Sequence, residues 1–326
     1  MLRILIIKTS SLGDVVHMLP AICDAAQCIE NIKFDWVVEE SFQEVPKWSS
    51  TVNRVIPVAI RRWRKSLHSS QTRKEIRVFK KVLQSKTYDI VVDSQGLLKS
   101  AVLTRWVKTN NGIWGYDKQS IREPLASYFY QYKVSVSRDL HAIARNRQLL
   151  SKALKYSLEN LSLNYGLAVN DFPPSALAPS DRYIVALHGT SKVEKEWPTE
   201  AWQELVQAME QQKISVLFPW GNSREKKRAE LLSEQSSNAL ALPKCNLFEL
   251  ARIISNVEAV IGMDTGLMHI AAALNKKGIG LYPITQPKLT GILTSDEDNF
   301  IENISGEETS QFNLVIKKMT KLVETF

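Results

Sequence analysis

The residues best placed to do chemistry stand at the end of the first apolar run. Leu2-Arg3-Ile4-Leu5-Ile6-Ile7-Lys8 passes through Thr9-Ser10-Ser11-Leu12-Gly13 to Asp14, and then to the helix-like Val15-Val16-His17-Met18-Leu19-Pro20-Ala21-Ile22. A β-branched run feeding a small polar loop and a helix is how an open parallel sheet builds a site at its carboxyl edge. A carboxylate in that loop is placed to meet a ligand. Asp14 would serve equally as a cap, its oxygen satisfying free N–H groups of the following helix. This segment alone leaves both roles open.

Three more strand ends carry such groups. Val260-Ile261-Gly262-Met263 runs into Asp264-Thr265-Gly266-Leu267-Met268-His269. Unpaired N–H groups and the positive end of the dipole at that helix start suit a diphosphate; Gly266 admits a close backbone, Thr265 adds a hydroxyl, and His269 lies one turn on. Leu187-His188-Gly189-Thr190-Ser191 is followed by Lys195, two hydroxyls and an ammonium that match the charge of a leaving diphosphate. Phe218-Pro219-Trp220-Gly221 precedes Glu225, a carboxylate able to accept from a ribose diol. Each has a plainer use: Asp264 and Thr265 as helix caps, His269 as a partly buried histidine, Lys195 as a solvated charge, Glu225 as a favourable charge at a helix start. In the first half, Arg61-Arg62-Trp63-Arg64-Lys65 follows a strand end, with Arg73, Lys74, Arg77, Lys80 and Lys81 beyond it. Arginine forks bind carboxylates and phosphates bidentately, and Trp63 would cover an apolar or sugar face. The second basic group reads nearly as well as a solvated helix face.

These groups need elements to hold them at strand ends, and the hydrophobic pattern supplies them. Leu2 to Lys8, Lys33 to Val38, Arg54 to Val58, Tyr88 to Asp93 and Gly112 to Tyr116 read as strands, with amphipathic segments at Thr72 to Ser85 and Leu97 to Val107. A polar stretch with Pro173, Pro174 and Pro179 breaks the rhythm. A second set follows: strands at Tyr183 to Leu187, Ile214 to Phe218, Ala239 to Leu242, Val257 to Gly262 and Gly278 to Tyr282, helices at Thr199 to Gln211, Arg224 to Ser233, Leu247 to Ile254 and Thr265 to Leu274. The alternation predicts an α/β protein of two doubly wound, Rossmann-like domains facing each other. Their expected extents are residues 1–165 and 183–309, joined by a linker at 166–182. The amphipathic segment at 310–326 is expected to pack back on the first domain.

A chain of 326 residues is long for one hydrophobic core, which agrees with two domains. A hydrophobic fraction of 44% and a charged fraction of 23% are those of a folded globular protein. No apolar stretch approaches the roughly 20 residues that span a bilayer, and a strand-like run from Leu2 is not a cleavable signal, so a cytoplasmic location is expected. Cys23, Cys28 and Cys245 have no metal-ligand spacing and read as packed thiols. A net charge of +8 points to an anionic partner without choosing among nucleic acid, phospholipid and acidic small molecules. No G-x-x-x-x-G-K-[ST], G-x-S-x-G or G-x-G-x-x-G string occurs, which removes weight from kinase-like ATP use, serine hydrolysis and standard nicotinamide binding. No RNA- or DNA-binding signature occurs either. Asp296-Glu297-Asp298 reads as a solvated acidic turn.

Taken together these residues resemble glycosyltransferase family 9, the lipopolysaccharide heptosyltransferases, and most closely its members that add the first heptose to the Kdo region of lipid A. The resemblance is carried by Lys8-Thr9-Ser10-Ser11-Leu12-Gly13-Asp14, Phe34-Asp35-Trp36-Val37-Val38-Glu39-Glu40, Ile56 to Lys65, Arg122-Glu123-Pro124-Leu125-Ala126-Ser127 and Asp264-Thr265-Gly266. It implies a GT-B architecture with the acceptor on the N-terminal domain and ADP-L-glycero-D-manno-heptose on the C-terminal domain. Asp14 would be the general base of an inverting transfer that needs neither metal nor cofactor, ADP-heptose being a co-substrate. Thr190, Ser191, Lys195, Thr265 and Gly266 would bind the diphosphate, with His269 beside it. Glu225 would hold the ribose, Cys245 would line the adenine pocket, and Asp264 would orient the heptose. Ser10, Ser11, Gly13, Arg61, Arg62, Arg64, Lys65 and Arg122 would contact a Kdo2-lipid A acceptor. The expected protein is a monomer peripheral to the cytoplasmic face of the inner membrane, drawn by anionic lipid and not by nucleic acid. Cys245 and Ser191 depart mildly from the family pattern, and Tyr282-Pro283-Ile284-Thr285-Gln286-Pro287 lacks its Gly-Pro-Thr string. Two other readings stay open: a later heptosyltransferase adding heptose to heptose, and a basic nucleic-acid-binding protein without transferase activity.

Overall fold

Apolar runs too short for helices and bounded by turn residues become parallel strands here. The computed structural model describes residues 1–168, 171–179, 181–190, 193–234, 236–296 and 298–324, with the side chain at 193 left out. The chain divides into two compact units that meet between Gly166 and Leu167. In the first, β1 (Leu2–Ile7), β2 (Ile32–Glu39), β3 (Val52–Val58), β4 (Ile90–Asp93), β5 (Ile113–Tyr116) and β6 (Tyr132–Val134) form one sheet in the order β3-β2-β1-β4-β5-β6. In the second, β7 (Tyr183–Leu187), β8 (Ser215–Phe218), β9 (Ala239–Ala241), β10 (Ala259–Met263), β11 (Gly278–Tyr282) and β12 (Ile301–Ser305) repeat it as β9-β8-β7-β10-β11-β12. Every pairing in both sheets is parallel. Each unit is thus a doubly wound, Rossmann-like layer structure, in which the strand order reverses beside the first strand.

Parallel strands are buried on both faces, which explains their nearly unbroken apolar sequence. Ile4 to Ile7 are all fully buried. Leu5 and Ile7 face a core completed by Phe79 and Leu83 of the helix Ser70–Gln84, whose exposed positions are mostly charged. The second core packs Trp197, Trp202 and Met209 against Val216, Ile261 and Leu281. Gly262 lies where a helix and a strand approach closely: a β-carbon there would meet the Leu187 β-carbon at 2.6 Å and the Met268 sulfur at 2.8 Å.

Three sequence expectations change. The terminal helix, Phe312–Glu324, does not join the first unit; Val315, Met319 and Val323 belong to the second core. Their spacing of four makes one apolar stripe, which the helix Thr199–Gln211 and strands β10 and β11 cover. Arg182 also donates to the Val323 carbonyl at 2.6 Å. The run from Tyr88 to Asp93 is two strands, because Thr87–Tyr88 leaves the main sheet to pair with Lys108–Thr109. The edge strands β6 and β12 were not legible, since Tyr132-Lys133-Val134 is only three residues long and three of the five residues of Ile301-Glu302-Asn303-Ile304-Ser305 are polar, as suits a sheet edge.

Met319→Ala should cost about 2–5 kcal/mol, the usual range for truncating a fully buried methionine. Denaturant unfolding checks it; an unchanged midpoint would remove the terminal helix from the second core.

Candidate functional site

The first unit builds its site where the order reverses, between β1 and β4. Parallel register aligns Ile7 with both Val37 and Asp93, so the loops after β1, β2 and β4 leave side by side. One side chain ties two of them together. Gln95 Oε1 accepts from the Thr9 N–H at 2.9 Å, the Ser10 N–H at 2.8 Å and the Thr9 hydroxyl at 3.2 Å. Gln95 is itself held by Asp93, a fully buried carboxylate that accepts from the Gln95 and Gly96 N–H groups and from Ser100 and Tyr130. Burial pushes the Asp93 pKa up to about 6 against those hydrogen bonds. The Trp36 indole donates to the Lys8 carbonyl at 3.0 Å and fixes the loop from its other side.

Asp14 is the helix cap that its sequence position allowed. Its Oδ2 accepts from the Ser11 N–H at 2.7 Å and the Ser11 hydroxyl at 3.0 Å, capping the helix Leu12–Val16. The same side chain lines a polar cavity of about 400 Å³ with Lys8, Ser10, Ser11, Gln95, Arg122 and Arg145. Burial lowers the pKa of Lys8, whose ammonium donates to the Ser94 carbonyl at 3.0 Å, while Asp14 and Asp93 act in the other direction. Arg145 stacks over the Tyr116 ring at 4.9 Å.

Of the residues expected to meet an acceptor, Ser10, Ser11 and Arg122 share the Asp14 cavity. Gly13 does not line it; it is buried in the helix, where its carbonyl accepts from His17. Arg61, Arg64 and Lys65 lie outside that cavity and are exposed, Arg61 lying over the Phe42 ring at 5.1 Å. Lys99 joins the two sets. It donates to the Ser10 hydroxyl at 2.7 Å and feels the charges of Arg61, Glu39, Asp14 and Arg64. Arg62 is corrected: it is held by Glu40 at 3.1 Å and Glu75 at 2.7 Å, so its fork is already filled. Trp63 is corrected too, being buried in the core with its indole N–H on Glu75 at 2.8 Å. Sequence reasoning passed over Lys8, Gln95, Lys99 and Arg145 as site groups. The signal for Gln95 was a polar Asp93-Ser94-Gln95-Gly96 run ending a strand, like the loop before Asp14.

The second unit repeats the device between β7 and β10. Lys195, in the loop after β7, reaches Asp264, in the loop after β10, at 3.3 Å. Thr285, after β11, donates to the same Asp264 oxygen at 3.0 Å. Thr265 and Gly266 open the helix Gly266–Ala273, and His269 is buried within it. Thr190 is 9% exposed, and its hydroxyl has no hydrogen-bond partner among the described residues. Ser191 lies outside the described residues. Glu225 accepts from the Gly221 N–H and the Asn222 amide, both at 2.7 Å. A β-carbon at Gly189 would come within 2.9 Å of its carboxyl carbon, so glycine lets these two loops meet. Cys245 is half-buried after β9; its thiol donates to the Pro243 carbonyl at 3.2 Å, and burial raises its pKa. No cluster of ligands fit for a metal ion occurs among the described residues. Asp296 accepts from Asp298 N–H and Asn299, and Glu297 lies outside the described residues.

Known proteins match this chain along most of its length. The family description glycosyltransferase family 9 (heptosyltransferase) fits residues 76–319. Lipopolysaccharide heptosyltransferase 1 of Pseudomonas aeruginosa is 46% identical over 290 residues, 89% of this chain and 81% of that one. Among solved structures, E. coli heptosyltransferase WaaC with ADP superimposes with a TM-score of 0.90 at 41% identity, covering 99% of each chain. The same enzyme with ADP-2-deoxy-2-fluoro heptose gives 0.86 over the same coverage.

Beside Thr190, the fully buried His188 has its pKa lowered to about 4, chiefly by burial and then by Arg228. Below its ordinary 6.5 the unfolded chain binds a proton that the folded one refuses, so stability present above pH 6.5 is lost as pH falls toward 4. Melting curves across this window should fall more steeply for the natural chain than for His188→Gln; equal slopes would show that His188 does not carry the effect.

Proposed function

The chain belongs to glycosyltransferase family 9, the heptosyltransferases, and we propose from this that it moves a heptose from ADP-heptose onto a Kdo residue in building the lipopolysaccharide core. The observation that carries the reading is Asp14, a carboxylate fixed by its own loop and lining a polar cavity with two arginines and a lysine. In the proposed step Asp14 takes the proton from the acceptor hydroxyl as that oxygen attacks the anomeric carbon. The bond from that carbon to the diphosphate breaks, ADP leaves with the bonding pair, and the configuration inverts. The contribution of Asp14 lies in reach and orientation.

On the donor side, Lys195 and the N–H groups at Thr265 and Gly266 offset the charge that grows on the leaving diphosphate. Asp264, held by Lys195 and Thr285, aims at the sugar. Glu225 keeps acceptor capacity for a ribose, since each carboxylate oxygen takes more than one hydrogen bond. On the acceptor side, Arg61, Arg64, Lys65, Lys99 and Arg122 grip carboxylates and phosphates. No helix among the described residues is long and apolar enough to cross a membrane. The exposed basic face would rest instead on an anionic leaflet, and the protein would act as a monomer.

Asp14→Asn should lower turnover by roughly 10²–10⁴ with donor affinity unchanged, the size of a general-base contribution. ADP release and calorimetry check it, and retained turnover would take the base role from Asp14. Arg61→Ala with Arg64→Ala should raise the acceptor KM and flatten its salt dependence, while EDTA should leave the rate unchanged. Mass analysis of a Kdo2-lipid A acceptor, with and without a first heptose already attached, tests the reaction: a gain of one heptose only on the extended acceptor would assign a later step.

A further inference from the structure

An apolar groove of about 550 Å³ runs along the edge strand β3, outside the Asp14 cavity. Val55, Pro57, Trp63, Val78, Phe79 and Val82 give it an apolar lining. Val78 is 54% and Val82 36% exposed, on the helix Ser70–Gln84, whose other exposed positions are mostly charged. The two carboxylates beside the groove are already used, because Arg62 pairs with Glu40 and Glu75 and the Trp63 indole donates to Glu75. What remains is an apolar trough lined by Lys74 as well, while Arg54 is paired with Asp35 at 3.3 Å.

The groove adjoins the cationic strip along the chain. Arg62 and Trp63 line it, while Arg61, Arg64 and Lys65 beside them in the chain are exposed. Lys99 then links Arg61 and Arg64 to Ser10 and Asp14. A ligand lying along this path meets a carboxylate, then a row of cations, then a trough suited to methylenes. That sequence of chemistries describes an amphiphile with an anionic sugar head and an alkyl tail. We propose that the groove seats an acyl chain of the acceptor, so that the lipid part contributes to binding and places the head hydroxyl at Asp14. The proposal rests on the acceptor reading above. The driving force is removal of methylenes from water, which the exposed valines share.

The test compares Val78→Glu/Val82→Glu with the natural chain on acylated and fully deacylated Kdo2-lipid A. Both substitutions sit on an exposed helix face, and turnover of the deacylated acceptor reports folding. With that acceptor kcat/KM should stay within about twofold, whereas with the acylated one it should fall about tenfold or more, mainly through KM. Retention of labelled acylated acceptor without donor should weaken in parallel, which reads the groove independently of transfer. Equal effects on both acceptors, or on neither, would overturn the proposal. So would an equal loss of binding to acceptor-free anionic vesicles, which would make the groove a general lipid face, or a natural dimer that the variant splits, which would make it a contact between copies. Failure of the natural chain to glycosylate either acceptor would instead reject the transferase reading.

Discussion

Both units depend on one constraint: a parallel sheet whose strand order reverses must send its crossover helices to opposite faces. The loops on either side of the reversal then part, leaving a crevice at the carboxyl ends of the strands. The crevice opens only if the diverging loops are held in register, and each unit does this with a polar bridge. In the first, Gln95 reaches from the loop after β4 to the backbone before Asp14. In the second, Lys195 and Asp264 span the loops after β7 and β10. Around these bridges stand the groups assigned to acceptor and donor.

The first bridge holds because the carboxylate behind it is buried and satisfied. Asp93 keeps four hydrogen bonds while fully buried, and Lys8 sits beside it with its ammonium on a carbonyl. Removing water from such groups is unfavourable, and only a complete set of partners makes the arrangement tolerable. The result is a loop whose position is over-determined, so a carboxylate attached to it is oriented before a ligand arrives. Lys99, which donates to the Ser10 hydroxyl, lies within reach of the charges of Arg61, Arg64, Glu39 and Asp14.

The site was legible in part. Asp14, Asp264, Thr265 and Lys195 stood out because each follows an apolar run and precedes a helix, an arrangement written in local sequence. Gln95 and Lys99 did not, because their importance comes from strands β1 and β4 lying side by side although the chain separates Thr9 from Gln95 by 86 positions. Arg62 was misleading for the opposite reason. Its composition announced an anion site, but two carboxylates from other segments close over it, Glu40 after β2 and Glu75 on the long basic helix.

By itself the sequence determined the α/β class, most strands and helices, and the strand-end loops that carry chemistry, because apolar period and turn residues act over a few positions. Tertiary structure decided which of those ends are neighbours, which cations remain exposed, and where the last helix packs. Val315, Met319 and Val323 announce a stripe that must be buried but not the surface that buries it. Edge strands β6 and β12 followed the same rule: one very short and the other mostly polar, they are strands because a neighbour offers a ladder, and pairing partners are a property of the folded chain.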